Sequence, residues 1–110
     1  MIYNKFDIVK LPFPFTDKNT AKKRPSLVIS SRDYQVNHNH CVLVMITSAK
    51  QSSWLDDIDI TNITTAGISS PSKIIFKIFT LDVSLILEKI GCLIGEDQQK
   101  VQQKLEYYLL

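Results

Sequence analysis

The residues best suited to chemistry are a short cationic run and a pair of hydroxyls. Lys22, Lys23 and Arg24 stand directly before one apolar segment, and Thr47 and Ser48 directly follow another. A guanidinium is planar, always charged and able to hold two phosphate oxygens at once, and two hydroxyls could donate hydrogen bonds to the same anion. The alternatives are a solvated basic run and an ordinary pair of hydroxyls where a strand meets a loop.

Other polar residues give weaker signals. The net charge of +2 is small for a protein that binds nucleic acid mainly through charge, so any positive surface must be local. Lys73 and Lys77 could join the cationic run in space, or they could lie on a solvated strand face. His38 and His40 could reach a phosphate or bind a metal, although a solvated loop is favoured, and we assign no general base.

Aromatic residues provide candidate stacking groups. Phe13 and Phe15 lie in a loop that runs from residue 13 to residue 23, where they could stack on unpaired bases. Packing into the core, or over a sheet edge, is an equally weighted alternative. Trp54 could also stack on a base, but a half-buried aromatic is favoured.

These groups need a scaffold, and the apolar runs predict one made mostly of short strands. We expect a loop over residues 31–40, one helical turn near 84–87, and strands over 7–12, 25–30, 41–46, 54–60, 73–79 and 88–94. After Glu96 and Asp97, the spacing of Val101, Leu105 and Tyr108 is helical. The fold class predicted is mostly β, a small antiparallel barrel with a C-terminal helix.

Composition restricts the class of protein further. The chain has 110 residues, 45% hydrophobic and 22% charged, which predicts one globular domain over residues 1–110. Cys41 and Cys92 lie far apart without metal-binding spacing, so we expect two reduced, buried thiols. The start resembles no signal peptide, and no apolar run approaches the roughly 20 residues that span a bilayer. We therefore expect a cytoplasmic protein without a membrane partner.

Three segments together resemble the MazF/PemK family of toxin endoribonucleases. They are Asp7–Asp17 (DIVKLPFPFTD), Lys23–Ser30 (KRPSLVIS) and Met45–Ser48 (MITS), with weaker similarity at Pro71–Ile74 and Lys89–Leu93. The resemblance implies an SH3-like barrel and a homodimer that cleaves single-stranded RNA without a metal or cofactor. It also implies a cognate antitoxin that binds across the active site, with DNA contacted only indirectly through the antitoxin complex.

The resemblance also implies site residues. It carries Arg24 and Thr47 onto the family's catalytic positions and Ser48 more loosely, with Arg24 stabilising the transition state and the two hydroxyls positioning the phosphate. The residues expected to contact RNA are Phe13, Phe15, Lys22, Lys23, Lys73 and Lys77. One departure is that residues 16–23 lack the glycines such loops often carry.

Two other functions stay open on the sequence. Some toxins of similar fold poison DNA gyrase through the end of their last helix, but those need not retain the Arg-Pro and Thr-Ser pairs. A catalytically silent barrel that only binds protein or nucleic acid is the second alternative.

Overall fold

The computed structural model describes residues 2–12, 22–50 and 54–110. In chain order the elements are β1 (Asp7–Pro12), β2 (Lys23–Val28), α1 (Arg32–His38), β3 (His40–Ser48), β4 (Ile58–Asp59), α2 (Ile63–Ala66), β5 (Ser72–Asp82), a 3₁₀ turn (Val83–Leu85), β6 (Glu88–Cys92) and α3 (Gly95–Leu109). Within these residues, no helix is long and apolar enough to cross a membrane.

The strands form one antiparallel sheet in the order β4-β5-β3-β2-β1-β6. The sheet curls until α2, at one side, packs on β6 at the other. This approach is tight, because a Cβ added at Gly91 would lie 2.3 Å from the backbone of Ala66. The curled sheet with its C-terminal helix confirms the predicted fold class.

The central strands are buried on both faces, which explains their nearly continuous apolar sequences. Successive residues enter two separate cores, so Ile8 packs with Leu27 and Val44 on one face. Their neighbours Val9, Val28 and Leu43 pack together on the other face. The helix α3 covers the first core, to which it contributes Val101 and Leu105.

The predicted loop over residues 31–40 is wrong, because it contains α1. Ser31 caps the helix by accepting a hydrogen bond from the amide of Tyr34 at 3.3 Å, and Asn39 ends it in the left-handed conformation. Gln35, which is buried, accepts a hydrogen bond from the Tyr3 amide at 2.8 Å. The helix buries a polar residue instead of an apolar stripe, so it leaves no hydrophobic periodicity.

The predicted strand over residues 54–60 is too long, since only Ile58–Asp59 pairs with β5. The residues before it form a turn in which the Asp57 amide donates to the Trp54 carbonyl at 3.3 Å and Asp56 has a φ of 62°. The short helix α2 also lies between the predicted strands 54–60 and 73–79, where no element is predicted. The segment 84–87 was predicted as a helical turn, and the turn is found one residue earlier.

The two cysteines differ in their surroundings. Cys41 is fully buried, and burial raises the pKa of its thiol, so it stays protonated at neutral pH. Cys92 is only half-buried, which corrects the expectation that both thiols lie in the core. The difference arises because β6 is an edge strand of the sheet, whereas β3 is central.

Candidate active site

A cleft of about 680 Å³ opens at the end of the barrel where β2 begins and β3 ends. It lies within the roughly 300–1,000 Å³ of typical ligand pockets. The described residues that line it are Lys10, Lys22, Lys23, Arg24, Pro25, Ile46, Thr47, Ser48, Gly67, Ile68, Ser69, Ser70, Ser72 and Ile90. All ionisable members of this set are cations, so the cleft suits an anion.

Arg24 is positioned by strand pairing on both sides of β2. It lies opposite Leu11 of β1, and the pairing of Ser26 with Met45, carried two residues further, brings Arg24 level with Thr47. The residue is half-buried and its Nε atom is shielded from solvent, while Pro25 restricts the backbone beside it. The guanidinium is therefore restrained at the cleft.

The hydroxyl pair at the end of β3 lies in the same cleft. Ser48 Oγ accepts a hydrogen bond from the Lys50 amide at 3.4 Å. In the described part of the chain, the Thr47 hydroxyl makes no hydrogen bond to protein. It is consequently available to donate to a ligand oxygen, and the structure brings it together with the arginine that the sequence paired with it.

Several residues that line the cleft were not predicted from the sequence, among them Lys10, Ser69 and Ser70. Lys10, on β1, adds a fourth cation to the lining of the cleft, and its Nζ lies 3.4 Å from a Glu88 carboxylate oxygen. Its sequence signal was a charge between Val9 and Leu11, which are both fully buried. Ser69 and Ser70, from the segment before β5, also line the cleft. Nothing in the local sequence indicates this position, because it depends on how the segment before β5 crosses the barrel.

Lys73 and Lys77 are not among the residues that line the cleft. The ammonium of Lys73 pairs with the Asp57 carboxylate at 3.3 Å, and that of Lys77 lies 5.0 Å from the centre of the Trp54 ring. Their contact with RNA stays a prediction. Phe13 and Phe15, with most of the loop expected over residues 13–23, lie outside the described residues.

The two histidines lie at the opposite end of β3 from the cleft. His40 pairs with Asp82, whereas Ser48 pairs with Ser72 at the other end of the same strand pair. The seven residue steps from His40 to Thr47 span about 23 Å at about 3.3 Å each. His40 Nδ1 instead lies 2.7 Å from the His38 carbonyl oxygen. Neither histidine of this pair reaches a phosphate held at Arg24.

Comparison with known proteins agrees with this geometry. Residues 4–109 match the family described as PemK-like, MazF-like toxin of type II toxin-antitoxin system. No curated protein sequence matches the chain at a significant level.

Solved structures give the same fold at low sequence identity. The crystal structure of MazE–MazF from Deinococcus radiodurans superposes with a TM-score of 0.74 at 19% identity, covering 99% of this chain and 96% of that one. An endoribonuclease in complex with its cognate antitoxin from a mycobacterial species gives 0.71 at 11% identity, covering 96% and 91%. Mycobacterium tuberculosis toxin MazF-mt6 gives 0.69 at 15% identity, covering 92% and 93%. With the family match over nearly its whole length, the chain belongs to the PemK-like, MazF-like toxins of type II toxin–antitoxin systems.

Proposed function

We propose that this toxin is a metal-independent endoribonuclease that cleaves single-stranded RNA at the cleft beside Arg24. The observation that carries the proposal is the convergence of Arg24 and Thr47 in one cleft. Among the described residues that line it, four are cations and none is a carboxylate. Such a surface attracts a polyanion and can hold its backbone.

The reaction joins the ribose 2′-oxygen to the neighbouring phosphorus while the bond to the departing 5′-oxygen breaks. A 2′,3′-cyclic phosphate and a 5′-hydroxyl result, with one proton leaving the 2′-hydroxyl and one reaching the 5′-oxygen. Arg24 stabilises the negative charge that develops on the phosphorane oxygens, and the hydroxyls of Thr47 and Ser48 orient them. Lys22 and Lys23 hold the flanking backbone.

The test is incubation of a long, weakly structured RNA with purified protein in EDTA. We expect discrete fragments from the parent protein and a loss of about 10²–10³-fold in rate, or about 3 kcal/mol, for Arg24→Ala. Arg32→Ala is the matched control, because Arg32 is exposed and its guanidinium bonds Asn4 at 3.0 Å. Circular dichroism should show both variants folded.

Two outcomes of that test would contradict a part of the proposal. Parental activity in Arg24→Ala would contradict the assignment of the arginine. Intact RNA from the folded parent protein would contradict the nuclease proposal. A gyrase supercoiling assay on the same preparation would then test the gyrase-poisoning alternative, which requires exposed residues at the end of α3.

The toxin is proposed to act as a homodimer joined through a terminal patch. We give this name to the exposed apolar side chains around the end of α3, namely Trp54, Leu55, Ile78, Tyr107, Tyr108, Leu109 and Leu110. Five of them (Trp54, Leu55, Ile78, Tyr108 and Leu109) line a mostly apolar groove of about 340 Å³. At about 150–250 Å² for a fully exposed aromatic, the patch offers on the order of 1,000 Å². A standard interface needs about 800 Å² per partner.

A cognate antitoxin is the second proposed protein partner. Support comes from two structural neighbours, one described as an endoribonuclease in complex with its cognate antitoxin and the other as MazE–MazF. The antitoxin would cover the cleft and block RNA, and any DNA contact would come from the antitoxin in that complex. An RNA substrate assigns the proposed activity to the cytoplasm.

A further inference from the structure

Two serine hydroxyls contribute to the lining of the cleft, together with the cations. Ser69 and Ser70 belong to the segment that leads from α2 to β5, and both are exposed. Both line the cleft. In the described part of the chain, neither hydroxyl makes a hydrogen bond to protein. The described lining of the cleft therefore combines cations with neutral hydroxyls that can donate and accept hydrogen bonds.

The backbone that carries these serines is fixed close to both of them. The Ala49 amide donates to the Pro71 carbonyl at 3.1 Å, and the Ser72 hydroxyl donates to the Ser70 carbonyl at 3.0 Å. The Ile60 amide in turn donates to the Ser72 carbonyl at 3.0 Å. Held in this way, the two hydroxyls lose little further freedom when they bind a ligand.

The start of the same segment is held against β6. Gly67 has a φ of 75°, and a Cβ added to it would lie 1.9 Å from the Ile90 carbonyl oxygen. A side chain at this position would push the segment away from the barrel. The glycine thus helps to set how closely the segment that carries Ser69 and Ser70 approaches the rest of the cleft.

The two kinds of lining group, cations and hydroxyls, match the two sides of a nucleotide. The phosphate side is anionic and suits the cations, whereas the base edge and the ribose hydroxyl are neutral and both donate and accept hydrogen bonds. A serine hydroxyl also donates and accepts, and it has no charge with which to compete for phosphate. Sequence-specific recognition of single-stranded RNA uses these base edges and 2′-hydroxyls.

We propose that Ser69 and Ser70 hydrogen-bond the nucleoside next to the scissile phosphate and thereby help to select the sequence that is cut. This proposal rests on the endoribonuclease function proposed above. It assigns the serines a specificity role, distinct from the charge stabilisation assigned to Arg24 and Thr47.

The test compares the double variant Ser69→Ala/Ser70→Ala with Ser84→Ala. Ser84 is an exposed serine that follows β5, at the end of the barrel remote from the cleft. Fragments of a long RNA are mapped to find the preferred site, and kcat/KM is measured on oligonucleotides with that site and with single-base changes. Two lost hydrogen bonds between neutral groups predict that the double variant loses about 10-fold in the preference ratio. Ser84→Ala should keep the parental ratio.

A substrate with a 2′-deoxyribose immediately 3′ of the cut separates the two sources of the contact. If the loss of preference in the double variant persists on this substrate, the contact is to the base edge. If it disappears, the serines bind the ribose hydroxyl, which is the same in every nucleotide, and the specificity role is overturned. An unchanged cleavage pattern and preference ratio in an active double variant would overturn the serine proposal while leaving the nuclease intact.

If the parent protein cuts no RNA, the nuclease proposal fails separately. The serine proposal is then tested by fluorescence anisotropy with a labelled single-stranded oligoribonucleotide. Weaker binding by the double variant than by Ser84→Ala would support the serine contact, and equal binding would overturn it.

Discussion

The cleft and the terminal patch both contain lysines, but those lysines have different surroundings. In the terminal patch region, Lys104 pairs with Asp56 at 3.3 Å, and Lys77 lies over the Trp54 ring. Tyr108 donates a hydrogen bond to the same Asp56 carboxylate, which lowers the pKa of that group, with Lys104 contributing to the shift. Cations there are held by carboxylates and rings among apolar side chains.

In the cleft, by contrast, the described lining combines cations with hydroxyl side chains. Among its described lining residues there is no carboxylate, and Glu88, which pairs with Lys10, lies outside that lining. A cleft whose described lining carries cations and no carboxylate attracts an anionic ligand. Charge that is paired with carboxylates among apolar groups suits contact with another protein. The comparison therefore supports the proposals that RNA binds in the cleft and that a second copy binds at the patch.

The largest effect that tests this comparison is expected at Thr47. Thr47→Val keeps the shape of the side chain and removes the hydroxyl that is proposed to orient the phosphate, so kcat should fall by about 100-fold with little change in KM. The matched control is Thr80→Val, because Thr80 is exposed on β5 and pairs with Val42, away from the cleft. Equal rates for the two variants in the RNA cleavage assay would remove Thr47 from the site.

The site was partly predictable because two of its components stand beside buried strands. The Arg-Pro and Thr-Ser pairs flank β2 and β3, whose apolar runs identify them as strands, and an antiparallel pairing brings the start of one to the end of the other. Ser69 and Ser70 could not be found in this way. Their position depends on the close packing of Gly67 and Gly91 against neighbouring backbone, which is a tertiary contact.

A similar limit applies to the fold. Acidic residues at the start of a helix such as α3 generally favour its dipole. Asp97, however, is 1% exposed and accepts hydrogen bonds from the Thr61 amide and hydroxyl, both at 2.8 Å. It ties the helix to the segment after β4 across 36 residues of sequence. The helix α1 was missed for the opposite reason, since its buried side chain, Gln35, is polar. Local patterns identify apolar elements and not those held by long-range polar contacts.

A charge placed in the terminal patch should weaken the dimer. Leu109→Asp puts a carboxylate among apolar side chains that association would bury, so the dissociation constant should rise by at least about 30-fold, as for loss of an interface hot spot. Leu87→Asp is the matched control, because Leu87 is 49% exposed and Leu109 is 55% exposed, and Leu87 lies outside the patch. Sedimentation velocity over a concentration series measures both constants. A monomeric parent protein, or equal constants for the two variants, would contradict the assignment of the patch.

The smallest effect separates the lysines of the two regions by salt dependence. Lys10→Ala removes a cleft cation, so binding of a single-stranded oligonucleotide should weaken several-fold, and the slope of log K against log[salt] should decrease by about 0.7. Lys77→Ala should leave that slope unchanged if its ammonium serves mainly to hold Trp54. Anisotropy titrations at four or more salt concentrations give both slopes. A decrease for Lys77→Ala as large as that for Lys10→Ala would mean that RNA extends over β5, and the terminal patch would then bind nucleic acid as well as protein.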